Sequence, residues 1–202
     1  MTQTTDLLNS KAFSLQPGYD EKTVRREFAE LMPLRTVIIY CFDPLASGIP
    51  EAVARELGDV WPGEVLQDED DNDIGTNTTV LNVVVAGGRA VDALRSITVA
   101  QHLLDVENVV VVHHTHCGAT SYTADGIIDA WKEEHGRDIS ETYPRESVCI
   151  SDYVESVTHD AYLIRQADGT PPHVTVHGYV YDIDTHDLTK IVEHPGAPRA
   201  AA

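Results

Sequence analysis

The chain has 202 residues, a formal charge of −19, 42% hydrophobic residues and 23% charged residues. This length suits one globular domain. The excess of acidic groups argues against nucleic acid or an anionic membrane as a partner, because phosphates are bound by clustered Lys and Arg. No apolar run is long enough to span a bilayer, and Met1–Phe13 lacks the apolar segment of an export signal, so the sequence predicts a cytoplasmic protein without membrane contact.

The spacing of apolar residues predicts an N-terminal arm, residues 1–20, followed by one domain, residues 21–195. Helices are predicted, in chain order, at Glu21–Met32, Pro50–Leu57, Arg89–Asp105, Thr123–His135 and Ser151–Gln166. Strands are predicted at Thr36–Cys41, Val80–Ala86, Val109–His113, His173–Asp182 and Leu188–Val192, and an acidic loop at Asp68–Asn77. Strands that alternate with helices indicate an α/β domain with a mostly parallel central sheet flanked by helices.

Three residues with metal-binding side chains lie where two of the predicted strands end. Cys41 ends the first strand, and His114 and Cys117 follow the strand at Val109–His113 with the spacing H-x-x-C. Because ligand sites in parallel sheets form beyond the carboxyl ends of the strands, we expect these side chains to meet. Two thiolates and one imidazole fill three positions around a tetrahedral zinc and leave the fourth open, as in catalytic zinc sites.

Each of these residues also has a purely structural interpretation. A cysteine at the end of a buried strand is most often a small core residue, and H-x-x-C alone is a weak signal. The crowding of His113 and His116 around His114 favours a metal site. Cys149 has no histidine nearby and is interpreted as a core residue.

Several motifs, in this order, resemble those of the β-class carbonic anhydrases. The segments Cys41-Phe42-Asp43 and His114-Thr115-His116-Cys117-Gly118 resemble the C-x-D-x-R and H-x-x-C motifs of that family. Residues 86–96 resemble its glycine turn and following helix, and residues 176–182 resemble its last core strand. The similarity extends from about Val24 to Val192, which is nearly the whole predicted domain.

The resemblance implies about four parallel strands plus an antiparallel edge strand, and zinc held by Cys41, His114 and Cys117. It implies that zinc-bound hydroxide attacks carbon dioxide to give bicarbonate, with Asp43 orienting the hydroxide. It also implies a homodimer or a higher homo-oligomer. An apolar stripe on the first helix favours the same assembly, and it consists of Val24, Phe28 and Leu31.

The chain departs from the family at Leu45, where the family has an arginine that pairs with the aspartate. Without that arginine, Asp43 is free to become a fourth zinc ligand, and Arg89 is the one substitute partner that the sequence suggests. Val84-Val85 replace a polar Arg-Asn pair, which makes the pocket more apolar. Two alternatives to carbon dioxide hydration therefore stay open: a hydrolase of carbonyl sulfide or carbon disulfide, and a zinc-binding protein without catalytic activity.

Overall fold

The computed structural model describes residues 9–199, so residues 1–8 of the predicted arm lie outside the described residues. The helices within that range are α1 (Glu21–Leu31), α2 (Ile49–Leu57), α3 (Leu94–Leu104), α4 (Ala124–His135), α5 (Arg145–Val148) and α6 (Tyr153–Gln166). The strands are β1 (Thr36–Cys41), β2 (Val65–Gln67), β3 (Asp73–Thr76), β4 (Val80–Val85), β5 (Asn108–His114), β6 (Thr175–Tyr181) and β7 (Leu188–His194).

Five of these strands form the central sheet in the order β4-β1-β5-β6-β7. The first four are parallel, and β7 pairs antiparallel with β6 at one edge. The predicted fold class, a mostly parallel sheet with an antiparallel edge strand and flanking helices, is confirmed. Strands β1 and β5 lie at the centre and are buried along nearly their whole length, which explains why both read as continuous apolar runs.

Helices cover the central strands on both faces of the sheet. On one face, Ile49 and Val53 of α2 belong to a cluster that includes Ile38 and Val110 of β1 and β5. On the other face, α3 and α6 pack against the alternate residues of the same strands. This two-sided packing fixes the carboxyl ends of β1 and β5 next to each other, which is the edge that carries the predicted metal ligands.

Two predicted segments differ most from the structure. The acidic segment Asp68–Asn77 contains β3, which pairs antiparallel with β2 as a separate two-stranded sheet. The helix predicted from Arg89 begins only at Leu94, because the chain first passes through 3-10 turns. Gly88 has φ +69, and a Cβ there would lie 2.7 Å from the Val112 carbonyl oxygen, so this close passage requires glycine.

Helix α1 is the least buried of the longer elements. Asp20 caps it by accepting a hydrogen bond from the Thr23 backbone N–H at 2.9 Å. None of its residues is buried, although it contacts α3 and β3 and Phe28 packs edge-on against Phe13 at 5.3 Å. The division into an arm, residues 1–20, and a domain, residues 21–195, stays a prediction. Across residues 9–199, no helix has the length and apolarity needed to cross a bilayer.

Candidate metal centre

The structure brings the three predicted zinc ligands together. One potential ligand atom from each of Cys41, His114 and Cys117 lies within 4.8 Å of the other two, and the two sulfur atoms are 3.8 Å apart. All three side chains are buried. In residues 9–199 this is the one group of histidine, cysteine and carboxylate side chains arranged to hold a metal ion.

The sheet explains how residues so distant in sequence meet. Strands β1 and β5 are parallel neighbours, so Cys41 at the end of β1 and His114 at the end of β5 lie at the same edge. Cys117 returns to that edge because the chain reverses through His116, which has the left-handed value φ +58. Gly88 lies against the backbone of both strands near their carboxyl ends, where a Cβ would come within 2.7 Å of the Val112 oxygen and 3.2 Å of the Cys41 nitrogen.

The His114 ring is oriented as a metal ligand requires. Its Nδ1 lies 2.9 Å from the Thr115 carbonyl oxygen. Because a carbonyl oxygen can only accept, Nδ1 carries the proton and Nε2 keeps its lone pair. Nε2 is buried and has no hydrogen-bond partner within the described part of the chain. A buried acceptor without a partner is costly, and a bound metal would satisfy it.

The two thiols form the other half of the donor set. Burial, with smaller contributions from Cys41 and Asp43, raises the pKa of the Cys117 thiol to about 11. Cys117 is therefore a protonated thiol at neutral pH in the metal-free site, and metal binding must release that proton. The Asp43 backbone N–H donates to the Cys41 sulfur at 3.4 Å and would stabilise a thiolate there. A donor set of two sulfurs and one imidazole nitrogen fits zinc.

Asp43 lies beside the cluster but not within it. Its carboxylate accepts a hydrogen bond from the Leu45 backbone N–H at 3.0 Å and caps a short turn, Pro44–Ala46. No ion pair to Asp43 occurs among residues 9–199. Leu45 is 61% exposed and Phe42 is 66% exposed, so the rim beside the carboxylate is apolar. Ligation of zinc by Asp43 stays a prediction.

Arg89 does not replace the missing arginine, contrary to what the sequence suggested. Its Nε and Nη2 bind the Asp160 carboxylate at 2.8 and 3.0 Å, and its remaining bonds go to the carbonyl oxygens of Glu146 and Cys149. The side chain is 2% exposed. Four of its five N–H groups are therefore engaged inside the domain, and none of these bonds goes to Asp43.

Asp160 is the centre of a buried network that sequence reasoning missed. Besides Arg89, it accepts from the Ala90 N–H at 3.1 Å and from His113 Nε2 at 3.3 Å. Burial opposes ionisation of Asp160, but the bonds from His113 and Arg89 outweigh burial and hold its pKa well below the usual range. Burial also lowers the pKa of His113, so its ring is neutral. Through His113, the network reaches the residue that precedes His114 in β5.

Cys149 lies outside the cluster and is half-buried, so its interpretation as a core residue was wrong. It faces an open cavity of about 700 Å³ that is also lined by Tyr122, Arg145 and Tyr153. Its carbonyl oxygen accepts from Arg89, which ties this segment to the buried network.

Known proteins resemble this chain in sequence and in fold. The chain is 31% identical over 100 residues to β-carbonic anhydrase 1 of Mycobacterium tuberculosis, and the match covers 50% of this chain and 59% of that protein. Over this segment, the chain is homologous to the β-carbonic anhydrases. A carbon disulfide hydrolase of Acidithiobacillus thiooxidans is 25% identical over 119 residues, which cover 51% of this chain and 59% of that protein.

Structural similarity extends further along the chain than sequence similarity does. A carbonic anhydrase of Streptococcus mutans aligns with a TM-score of 0.59 over 95% of this chain and 97% of that chain, at 21% identity. This likeness shows that the β-carbonic anhydrase fold is shared. The chain spans 59% of the length of the curated relatives that it matches. No family model matches it.

Proposed function

We propose that this protein is a zinc-dependent enzyme that hydrates carbon dioxide to bicarbonate, as its β-carbonic anhydrase homologues do by name. The observation that carries the proposal is the buried cluster of Cys41, His114 and Cys117, with ligand atoms within 4.8 Å of one another. Three protein ligands leave a tetrahedral zinc one position for water or substrate, which is the arrangement of catalytic sites.

Within this proposal, each residue has a distinct task. Cys41 and Cys117 would bind zinc through their sulfurs and His114 through Nε2. Zinc, when bound, supplies a Lewis acid that makes hydroxide available near neutral pH. Asp43 would orient the nucleophile or occupy the fourth position itself. Its charge contributes to the raised pKa of Cys117, which supports a location close to the metal. The apolar rim of Phe42 and Leu45 would exclude water from the approach to the site.

Hydrolysis of carbonyl sulfide or carbon disulfide is a second candidate activity. The similarity to a carbon disulfide hydrolase favours it, and so does the apolar surface beside the cluster. Leu45 is 61% exposed and Val84 is 48% exposed, and neither offers a hydrogen bond to a polar substrate. Carbonyl sulfide and carbon disulfide are less well hydrated than carbon dioxide, so they would lose less hydration at such a rim.

The two activities are separated by assaying zinc-loaded protein on carbon dioxide and carbonyl sulfide side by side. Elemental analysis should find about one zinc per chain, as the three-ligand site requires. Cys117→Ser should lose most of the zinc and both activities, whereas Cys149→Ser, a matched variant outside the cluster, should keep them. Full zinc content in Cys117→Ser contradicts the site. Zinc binding without turnover of either substrate leaves a catalytically silent zinc protein.

We also infer a homodimer or a higher homo-oligomer. Helix α1 is amphipathic, yet no residue on it is buried within this chain. Phe13, Leu31 and Ile74 expose 59, 51 and 47% of their surface around one cleft beside this helix. Exposed apolar patches of this kind mark protein interfaces, and a second copy of the chain is the proposed occupant.

A further inference from the structure

Thr115 follows His114, at the start of the loop that carries Cys117, and it makes two hydrogen bonds to the end of β6 and the turn after it. The Thr115 backbone N–H donates to the Tyr181 carbonyl oxygen at 2.9 Å. The Thr115 hydroxyl oxygen accepts from the Ile183 N–H at 3.1 Å. Two bonds, one from the main chain and one through the side chain, therefore hold Thr115 against the last residue of β6 and the turn that follows it.

The same residue presents its carbonyl oxygen to His114 Nδ1 at 2.9 Å. That contact decides which ring nitrogen of His114 carries the proton and leaves Nε2, the atom inside the cluster, unprotonated. If the Thr115 peptide were free to rotate, the imidazole could take either tautomer and turn away from the two sulfurs. The anchored hydroxyl therefore acts on the metal site through the carbonyl of its own residue.

We propose that Thr115 is a positioning residue whose hydroxyl, held by Ile183, fixes the His114 ring in the zinc-binding tautomer before any metal arrives. The inference rests on the proposed zinc site, but its central statement concerns the metal-free protein. Partners of metal-ligating histidines typically change metal affinity by about 10–100-fold when they are removed. Thr115 makes its contact through the backbone, which mutation cannot remove, so the lower end of that range is expected for loss of its hydroxyl.

The test uses Thr115→Val, which keeps the side-chain shape and removes the acceptor for Ile183, and Thr115→Ser, which restores the hydroxyl. Thr78→Val is the matched control, because the Thr78 hydroxyl donates to the Val60 carbonyl at 2.9 Å in a segment that carries no zinc ligand. Zinc affinity is measured by competition with a chelating dye. The His114 tautomer is read from the ¹⁵N chemical shifts of its ring in metal-free protein.

Metal-free wild type should show the Nδ1-protonated tautomer, and Thr115→Val should show a mixture and bind zinc about tenfold more weakly. Thr115→Ser and Thr78→Val should match wild type in both measurements. An Nε2-protonated His114 in wild type overturns the inference without any variant, and so does a Thr115→Val protein with wild-type tautomer and affinity. A wild type that binds no zinc contradicts the proposed function instead, and the tautomer measurement still decides the role of Thr115.

Discussion

Asp160→Asn removes the negative charge from the buried network that Asp160 forms with Arg89 and His113. The Asp160 carboxylate has no exposed surface and neutralises Arg89, which is 2% exposed. An asparagine has nearly the same shape, but one of its two side-chain polar groups is an NH2 donor. The Arg89 guanidinium also has only donors, so these two groups cannot bond. The Arg89 charge would then be buried without a counter-ion, and one of its two bonds to residue 160 would be replaced by a contact between donors.

Breaking a buried ion pair on one side destabilises a protein by about 3–5 kcal/mol. For a domain of this size, each kcal/mol lowers the melting temperature by roughly 2–4 °C, so Asp160→Asn should melt about 6–20 °C below wild type. Asp125→Asn is the control, because Asp125 pairs with Arg145 at the surface, where both side chains are more than half exposed. Exposed pairs contribute at most about 1 kcal/mol, so this variant should melt within a few degrees of wild type.

The pH dependence of stability provides a second test, because the expected direction of the change is fixed by the pKa of Asp160. The pKa of Asp160 is depressed in the folded protein, so its contribution to stability is complete above the unfolded value of about 3.9 and is lost as the pH falls below it. The stability gap between wild type and Asp160→Asn should therefore narrow by about 1 kcal/mol between pH 5 and pH 3. Urea unfolding at both pH values measures the gap. The reasoning would be refuted if Asp160→Asn melted within 2 °C of wild type, which corresponds to less than about 1 kcal/mol. It would also be refuted if the difference in stability between the two proteins grew in acid.

Three further predictions concern the metal site and the assembly. Because burial raises the pKa of Cys117 to about 11, zinc binding displaces its proton, and the apparent zinc affinity should fall by at least about tenfold for each pH unit between pH 8 and pH 6. A pH-independent affinity in dye competition would contradict this. Leu45→Arg should raise kcat/KM for carbon dioxide by up to about fivefold in stopped-flow assays, because an ion pair to Asp43 at this exposed position is worth at most about 1 kcal/mol and would draw the carboxylate away from the metal. Unchanged kcat/KM beside a high native rate would show that the missing arginine is not limiting. Light scattering should give wild type a molar mass well above the 22.2 kDa of one chain, and Phe28→Glu a mass nearer to that of one chain. A monomeric wild type at micromolar concentration would exclude the proposed interface.

The sequence predicted the cluster because its ligands follow from local patterns and one topological rule. Cys41 and His114 each end an apolar run, and parallel neighbours place such ends together. The Arg89–Asp160 pair could not be predicted in the same way, since 71 residues separate its members and Asp160 lies in none of the motifs that the sequence offered. The start of α3 was misplaced because a propensity pattern cannot register the Val112 carbonyl, which forces the chain through Gly88 before a helix can begin. The exposure of Cys149 could not be predicted either, because it depends on how residues distant in sequence pack around it.

Gly88 has a consequence for any attempt to re-engineer this site. A Cβ at this position would lie 2.7 Å from the Val112 oxygen and 3.2 Å from the Cys41 nitrogen, atoms that belong to the two strands carrying the first two ligands. A single methyl group at residue 88 would therefore press on both of these strands at once. Its effect would reach the metal site without any change to a residue that supplies a ligand.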